Sequence, residues 1–219
     1  MKNYISLKLK RGHAEMDVDI KVLKENFRLR NIEVEAFDSL NEIKAYILNI
    51  IPSNSTIGIG HSLTLQKMNI THLLSERGNI VYDKELSKSR EERQAVKKKA
   101  LIADWYITGS NSISIDGRIV NIDHSGNRVA AITFGPDKVI IVVGKNKIVN
   151  TLEEAIKRVK NVACPLNARR TGLNPPCATL NRCVDCVSMD RVCNTLSIIE
   201  GQSETGRIKL LIANEDAGY

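Results

Sequence analysis

Residues 138–144, KVIIVVG, form an unbroken apolar run that constrains the fold more than any other stretch of the chain. A strand with one wet face alternates apolar and polar residues. A strand apolar on both faces must be covered on both, as the inner strands of parallel sheets are. From about residue 17 to 160 the flanking segments keep a matching rhythm. VDIKVLKENFRLRN carries apolar residues at helical spacing, and IEVEAF alternates like a strand. SLNEIKAYILNII opens on a serine cap and returns to the helical period. STIGIG reads as a short strand closed by glycines, TLQKMNITHLLSER as helical, NIVYD as extended and LSKSREERQAVKKKALIA as a long charged helix. DWYITGS is the next strand, and SISIDGRIVNID a hairpin turning at Asp116 and Gly117. SGNRVAAITFG and TLEEAIKRVKN supply helices on either side of the central run. This pattern predicts an α/β fold, a mostly parallel sheet with helices on both faces. LSIIEG and GRIKLLIANE are two late strands that join or extend it. With 219 residues and no internal repeat or low-complexity linker, one domain over 1–219 is expected, including a cysteine-rich loop at about 164–194.

That loop holds Cys177, Cys183, Cys186 and Cys193 in NPPCATLNRCVDCVSMDRVCN. Two residues between Cys183 and Cys186 let both sulfurs turn back onto one ion. Four thiolates on an irregular segment suit an iron–sulfur cluster or zinc, and spacing does not choose between them. Ordinary reduced thiols or a disulfide pair are the alternative. The fifth cysteine, Cys164, is expected to be a small buried side chain. The N-terminal MKNYISLKLKRGHAEMD has no apolar signal core, and no run is long enough to cross a bilayer, so no membrane partner and a cytoplasmic location are expected. In that reducing setting, clustered cysteines favour metal over disulfides.

Ligands of parallel α/β folds gather at the C-terminal ends of strands, which directs attention to three loops. In Gly58-Ile59-Gly60-His61-Ser62, the glycines Gly58 and Gly60 allow close backbone approach, and Ser62 can bond an anion or simply cap a helix. The spacing matches neither the dinucleotide fingerprint nor the Walker loop. Thr108, Gly109 and Asn111 form a small polar turn after DWYIT. The stretch 121–128, NIDHSGNR, is the densest polar group: Asp123 can act as a base, Arg128 can clamp a carboxylate or phosphate, and Asn127 can contact a ligand. Equally, Asp123, Ser125 and Asn127 can shape the turn and cap the helix. His124 is a solitary histidine, and His13 and His72 read as structural or exposed.

The formal net charge is +7. Aromatic residues are only 4% of the chain, too few for a base-stacking platform, and the basic residues are dispersed, so no nucleic-acid partner is expected. Arg90, Arg93 and Lys97-Lys98-Lys99, interleaved with Glu91 and Glu92, read as a solvated helix face. A small anionic metabolite remains the partner that the charge favours.

From ADWYITGSNSISIDGRIVNIDHSGNRVAAITFGPDKVIIVVGKNKIVNTLEEAIKRVKN, together with STIGIGHSLTLQKM, the PLNA segment at 165–168, the cysteine segment and GRIKLLIANEDAGY, the chain resembles the LUD (lactate-utilization) family nearly end to end. The resemblance implies a fold like that of the sugar-phosphate isomerase and CoA-transferase superfamily (NagB/RpiA/CoA transferase-like). It also implies a redox-associated role in L-lactate or related 2-hydroxy-acid metabolism, with an iron–sulfur cluster on the four cysteines and a redox partner protein. Many small stand-alone members have no established activity. CoA-transferase chemistry is not expected, because that superfamily's enzymes use a catalytic glutamate and no glutamate lies between Glu92 and Glu153. Two other readings stand beside this one: a zinc-stabilised module that binds a small anion without transforming it, and an isomerase or hydrolase using Asp123 as base. A homodimer is a guess from the fold alone.

Overall fold

Lys138–Gly144 takes the inner position its composition calls for. In the computed structural model, which describes residues 6–11 and 14–219 with side chains from Val18 onward, the strands run in chain order. They are β1 (Ser6–Arg11), β2 (Ala14–Asp19), β3 (Glu33–Phe37), β4 (Thr56–Ile59), β5 (Ile80–Asp83), β6 (Trp105–Gly109), β7 (Ser112–Ser114), β8 (Ile119–Asp123), β9 (Lys138–Gly144), β10 (Ile148–Val149), β11 (Thr195–Ile199) and β12 (Ile208–Ala213). The main sheet has six strands in the order β3-β12-β9-β6-β4-β5, every pairing parallel. His13 lies outside the described residues.

Along β9 the pleat sends successive side chains to opposite faces. Val139, Ile141 and Val143 pack in one core with Leu23 and Phe27 of the Ile20–Arg28 helix and Ala131 and Ile132 of the Asn127–Thr133 helix. Ile140 and Val142 pack in the other with Ile43 and Ile47 of the Leu40–Ile50 helix and Leu65 and Leu74 of two short helices. Helices therefore cover both faces, as the rhythm predicted. The helical stretch 63–76 is two pieces, Leu63–Met68 and Ile70–Glu76, divided at Asn69, whose φ of 52° is left-handed.

The two late strands part company. β12 enters the main sheet between β3 and β9, while β11 pairs antiparallel with β8 in a second sheet ordered β10-β7-β8-β11. The hairpin β7–β8 turns where expected, with Gly117 at φ +93°. Ile113, Ile119 and Ile148 of this small sheet belong to the same core as β9, which fixes it beyond the C-terminal ends of β6 and β9.

The helix expected to stop near Asn161 continues instead. Leu152–Arg158 passes through a single π turn, Val159–Ala163, into Cys164–Thr171, and Gly172 ends it at φ +71°. The wider turn carries the Cys164 N–H to the Val159 carbonyl and accommodates Pro165, which has no N–H to give. The irregular cysteine segment thus starts after Gly172 rather than at 164, with one further short helix, Pro176–Leu180. No helix among the described residues is long and apolar enough to cross a membrane.

Candidate functional site

At the C-terminal ends of β4, β6 and β9 a cleft of about 470 Å³ opens between the main sheet, the small sheet and the long 152–171 helix. Of the residues singled out from the sequence, Ser62, Gly109, Asn111, Asp123, Asn127 and Arg128 line it. Gly58, Gly60 and Thr108 do not. A Cβ on Gly58 would lie 2.7 Å from Tyr106 Cδ2 and 2.8 Å from the Ala100 carbonyl. One on Gly60 would lie 2.4 Å from Thr108 Oγ1. These two glycines serve the packing of strand on strand and helix. Thr108 is fully buried, its hydroxyl donating to the Gly109 carbonyl at 3.2 Å.

Asp123 and Arg128 are committed to the fold. Asp123 Oδ2 accepts the N–H of Arg128 at 3.0 Å and of Val129 at 3.1 Å, closing the start of the Asn127–Thr133 helix. Its Oδ1 takes Arg128 Nε at 2.9 Å and lies 2.8 Å from Nη2. Arg128 spends its other donors on the Gly109 and Ile122 carbonyls, Asn121 Oδ1 and Asn111 Oδ1, at 2.7–3.1 Å. A guanidinium has five N–H groups, and here all are engaged. Arg128 is therefore no clamp for a ligand, and Asp123, taking three hydrogen bonds and the guanidinium's charge, is tied into the fold rather than aimed at the cleft. The Asn111 amide oxygen is likewise occupied, accepting Ile122 N–H at 2.9 Å and Arg128 Nη2 at 2.7 Å, while its backbone N–H donates to Asn121 Oδ1. Ser62 and Asn127 keep more freedom. Ser62 precedes its helix without a side-chain cap bond, and Asn127 Oδ1 accepts only the Ser125 hydroxyl, at 2.8 Å.

The positive charge on the cleft comes from residues the sequence did not single out as site residues, Arg93 and Lys97 having read as solvated, and one of them, Lys84, lies 3.6 Å from Glu85 Oε1. Lys84, Arg93, Lys97, Lys147 and Arg170 line the cleft, against the carboxylates of Glu85 and the already paired Asp123. Arg93 and Lys97, four apart on the Arg90–Ala100 helix, present one face to the cleft, so only Lys98 and Lys99 of the lysine run fit the solvated-face reading. Burial, then Lys84 and Arg93, lowers the Lys97 amine pKa. Burial and then Arg170 lower that of His61, whose Nδ1 lies 3.2 Å from Glu85 Oε1 without the alignment of a hydrogen bond. Neighbouring cations that depress one another form a positive field that Glu85 and Asp123 offset only in part. His124 lines the rim, exposed, and His72 is exposed beside Glu76 at 3.1 Å.

Lys147 differs from the other cations. It sits three residues past β9, is 4% exposed, and its ammonium group makes no hydrogen bond or ion pair among the described residues. Burial, reinforced by Arg158 and Arg128, pushes its pKa down to about 7. The signal in sequence was its place alone, in the KNK turn directly after the one strand apolar on both faces.

The cysteine segment forms part of the cleft wall through Leu173 and Val192, beside Cys164 of the preceding helix. All five cysteines are free thiols. Cys177 is buried with Ala168 and Val192 in a small core, and its thiol pKa is raised by burial and then by Cys186, Cys193 and Cys183. Cys164, on the helix, is raised by burial and then by Cys193, so it stands closer to the group than its sequence distance implied. Arg191 Nε donates to Cys193 Sγ at 3.1 Å, and the Asp185 N–H to Cys183 Sγ at 3.4 Å. N–H donors aimed at sulfur suit a thiolate-held centre. Among the described residues, however, no three metal-ligating side chains converge as a ready site. The donor chemistry fits a soft metal or cluster, and loading would require the loop 181–194 to draw together.

The family model for the LUD domain matches residues 20–213. A crystal structure of a DUF162 family protein from Deinococcus radiodurans is similar over 89% of this chain and 94% of that one, at 18% identity and a TM-score of 0.51, which is a likeness of fold. A ribose 5 phosphate isomerase A from Neisseria gonorrhoeae covers 63% of this chain and 68% of its own at 17% identity, with a TM-score of 0.34, too low to bear on either fold or activity. No curated protein matches the chain.

Proposed function

Because this chain belongs to the LUD domain family, which is associated with lactate utilization, we propose that its cleft binds a small anionic metabolite of the 2-hydroxy-acid class in a redox-associated role. One observation carries this reading: Arg93, Lys97 and Arg170, with Lys84 beside Glu85, surround a space in which Asp123 is already neutralised by Arg128. Such a site attracts carboxylates and holds them with charge-assisted hydrogen bonds.

Cys177, Cys183, Cys186 and Cys193 are the residues that would hold an iron–sulfur cluster, supplying one-electron transfer to a redox partner protein. Their segment shares a wall with the cleft through Leu173 and Val192, which supports coupling between ligand and thiols. Ser62 and Asn127 are the cleft residues with bonding capacity left to orient the acid. Zinc on the same thiols is the alternative, favoured by the small core of Ala168, Cys177 and Val192 that a closed structural site would complete.

The test is metal and sulfide analysis with an absorption spectrum on protein purified without oxygen, followed by calorimetric titration with L-lactate and pyruvate. Iron, sulfide and a reducible visible band with saturable acid binding support the redox reading. One zinc and no colour select the structural site. Failure of every 2-hydroxy and 2-oxo acid to bind removes the anion reading.

A further inference from the structure

We propose that Lys147 is a covalent attachment point for small oxo acids, its Nζ condensing with the carbonyl carbon of a 2-oxo acid held in the cleft. The proposal rests on the anion-binding reading above and adds to it a nucleophile and a carbonyl substrate class.

Lys147 lines the cleft at 4% exposure, with Arg128 and Arg158 as its charged neighbours and no carboxylate partner among the described residues. An ammonium so placed is what an interior tolerates least, and an aliphatic side chain would fill the space without that cost. The free amine is tolerated, and it is also the reactive form. Burial beside other cations is the arrangement that makes a lysine nucleophilic toward carbonyls. The fold holds the residue firmly. Its backbone carbonyl accepts the Ser112 hydroxyl at 3.1 Å, and neighbouring Asn146 straps the C-terminal tail across the turn, accepting the Ala217 N–H at 3.1 Å and donating to the Gly218 carbonyl at 3.2 Å.

A second observation points to the same spot. Thr64 is fully buried, and its hydroxyl has no hydrogen-bond partner among the described residues. A Cβ built on Gly218 would stand 3.0 Å from Lys147 Nζ and 3.0 Å from Thr64 Oγ1, so the amine and the hydroxyl flank one point beside the tail. Glycine at that point, with φ +63°, leaves it clear of a side chain. Lys147 Nζ thus has the Thr64 hydroxyl as a neighbour across Gly218, and that hydroxyl is itself unpaired among the described residues.

The step balances without oxidant or reductant. The Nζ lone pair attacks the carbonyl carbon and the carbonyl π pair moves to oxygen, which takes up a proton. The resulting carbinolamine loses that oxygen as water together with the second nitrogen-bound hydrogen. One C=O bond is replaced by one C=N bond, and one water is released. The cleft cations hold the acid's carboxylate while this occurs.

The experiment treats the full chain with pyruvate and sodium cyanoborohydride at neutral pH, then measures intact mass and maps the modified peptide. Expected is a single reduced adduct on Lys147, competed away by L-lactate, which shares the carboxylate and lacks the carbonyl. The adduct should be absent from K147M. The wild-type peptide map decides the matter even if that variant fails to fold. Adducts spread evenly over exposed lysines such as Lys98 overturn the proposal. If calorimetry registers pyruvate binding and no adduct forms, the covalent step alone falls. If neither appears, the anion reading falls with it.

Discussion

Asp123 and Arg128, five residues apart at the entry to the Asn127–Thr133 helix, are bound into one network: the carboxylate receives two backbone N–H groups and the guanidinium Nε, and the guanidinium's remaining donors tie Gly109, Asn111, Asn121 and Ile122 together. This pair joins the ends of β6 and β8 and so shapes the cleft floor without entering its chemistry.

Removing one partner should therefore unfold rather than merely inactivate. Arg128→Ala leaves a carboxylate at 9% exposure without its counter-charge, at a cost of roughly 3–5 kcal/mol. Arg128→Lys should recover little of that, because a point charge cannot replace the fork. Urea unfolding monitored through Trp105 measures both. A loss under about 1 kcal/mol for Arg128→Ala, the level of an exposed pair, would show that the network carries no weight.

Arg93 and Lys97 share the cleft-facing side of their helix, whereas Lys98 is exposed outside the cleft. Arg93→Ala and Lys97→Ala should each weaken binding of a carboxylate ligand about tenfold, equivalent to about 1.4 kcal/mol, with Lys98→Ala unchanged. Raised salt should weaken the wild type more than either variant. Equal effects at all three positions in calorimetry would mean that only the general charge of the helix matters.

Gly58→Ala tests what the first glycine loop is for. The added methyl meets the Ala100 carbonyl at 2.8 Å and Tyr106 at 2.7 Å, so stability should fall by roughly 1–3 kcal/mol from overpacking. Ligand affinity per folded molecule should hold, since the residue lies behind the cleft wall. Lost affinity at unchanged melting temperature would return Gly58 to the binding surface.

That glycine shows where the sequence stops being readable. KVIIVVG could be placed because its requirement, cover on two faces, is written in its own residues. Ser62, Gly109, Asn111 and Asn127 could be placed because strand ends in parallel sheets collect ligands. Whether a glycine serves a ligand or a neighbouring strand depends on what its absent Cβ would touch, and Tyr106 and Ala100 are more than forty residues away. Lys97 within a lysine run, and Arg170 on a helix carried past Pro165 by a π turn, gain meaning only once the helices are placed. Asp123 and Arg128 looked like chemistry for the same reason they are structure: dense polar groups at a strand end must satisfy one another before they can serve a ligand.

Lys147 gives the most direct physical test, because its burial leaves a mark on stability. In the unfolded chain its amine titrates near the ordinary lysine value of about 10.4, and in the folded chain at about 7. Between those values the unfolded chain holds a proton that the folded one has shed, so this residue makes stability rise with pH. Below about pH 7 both states are protonated and the full penalty is present; toward about pH 10 both are neutral and it disappears. Lys147→Met should thus be more stable than wild type by roughly 1–4 kcal/mol at neutral pH and below, with the gap closing as pH climbs. Denaturant unfolding of both proteins across that range measures it. A gap that stays constant with pH, or a less stable variant at neutral pH, would mean that Lys147 is charged and paired in the folded protein and unfit to act as a nucleophile.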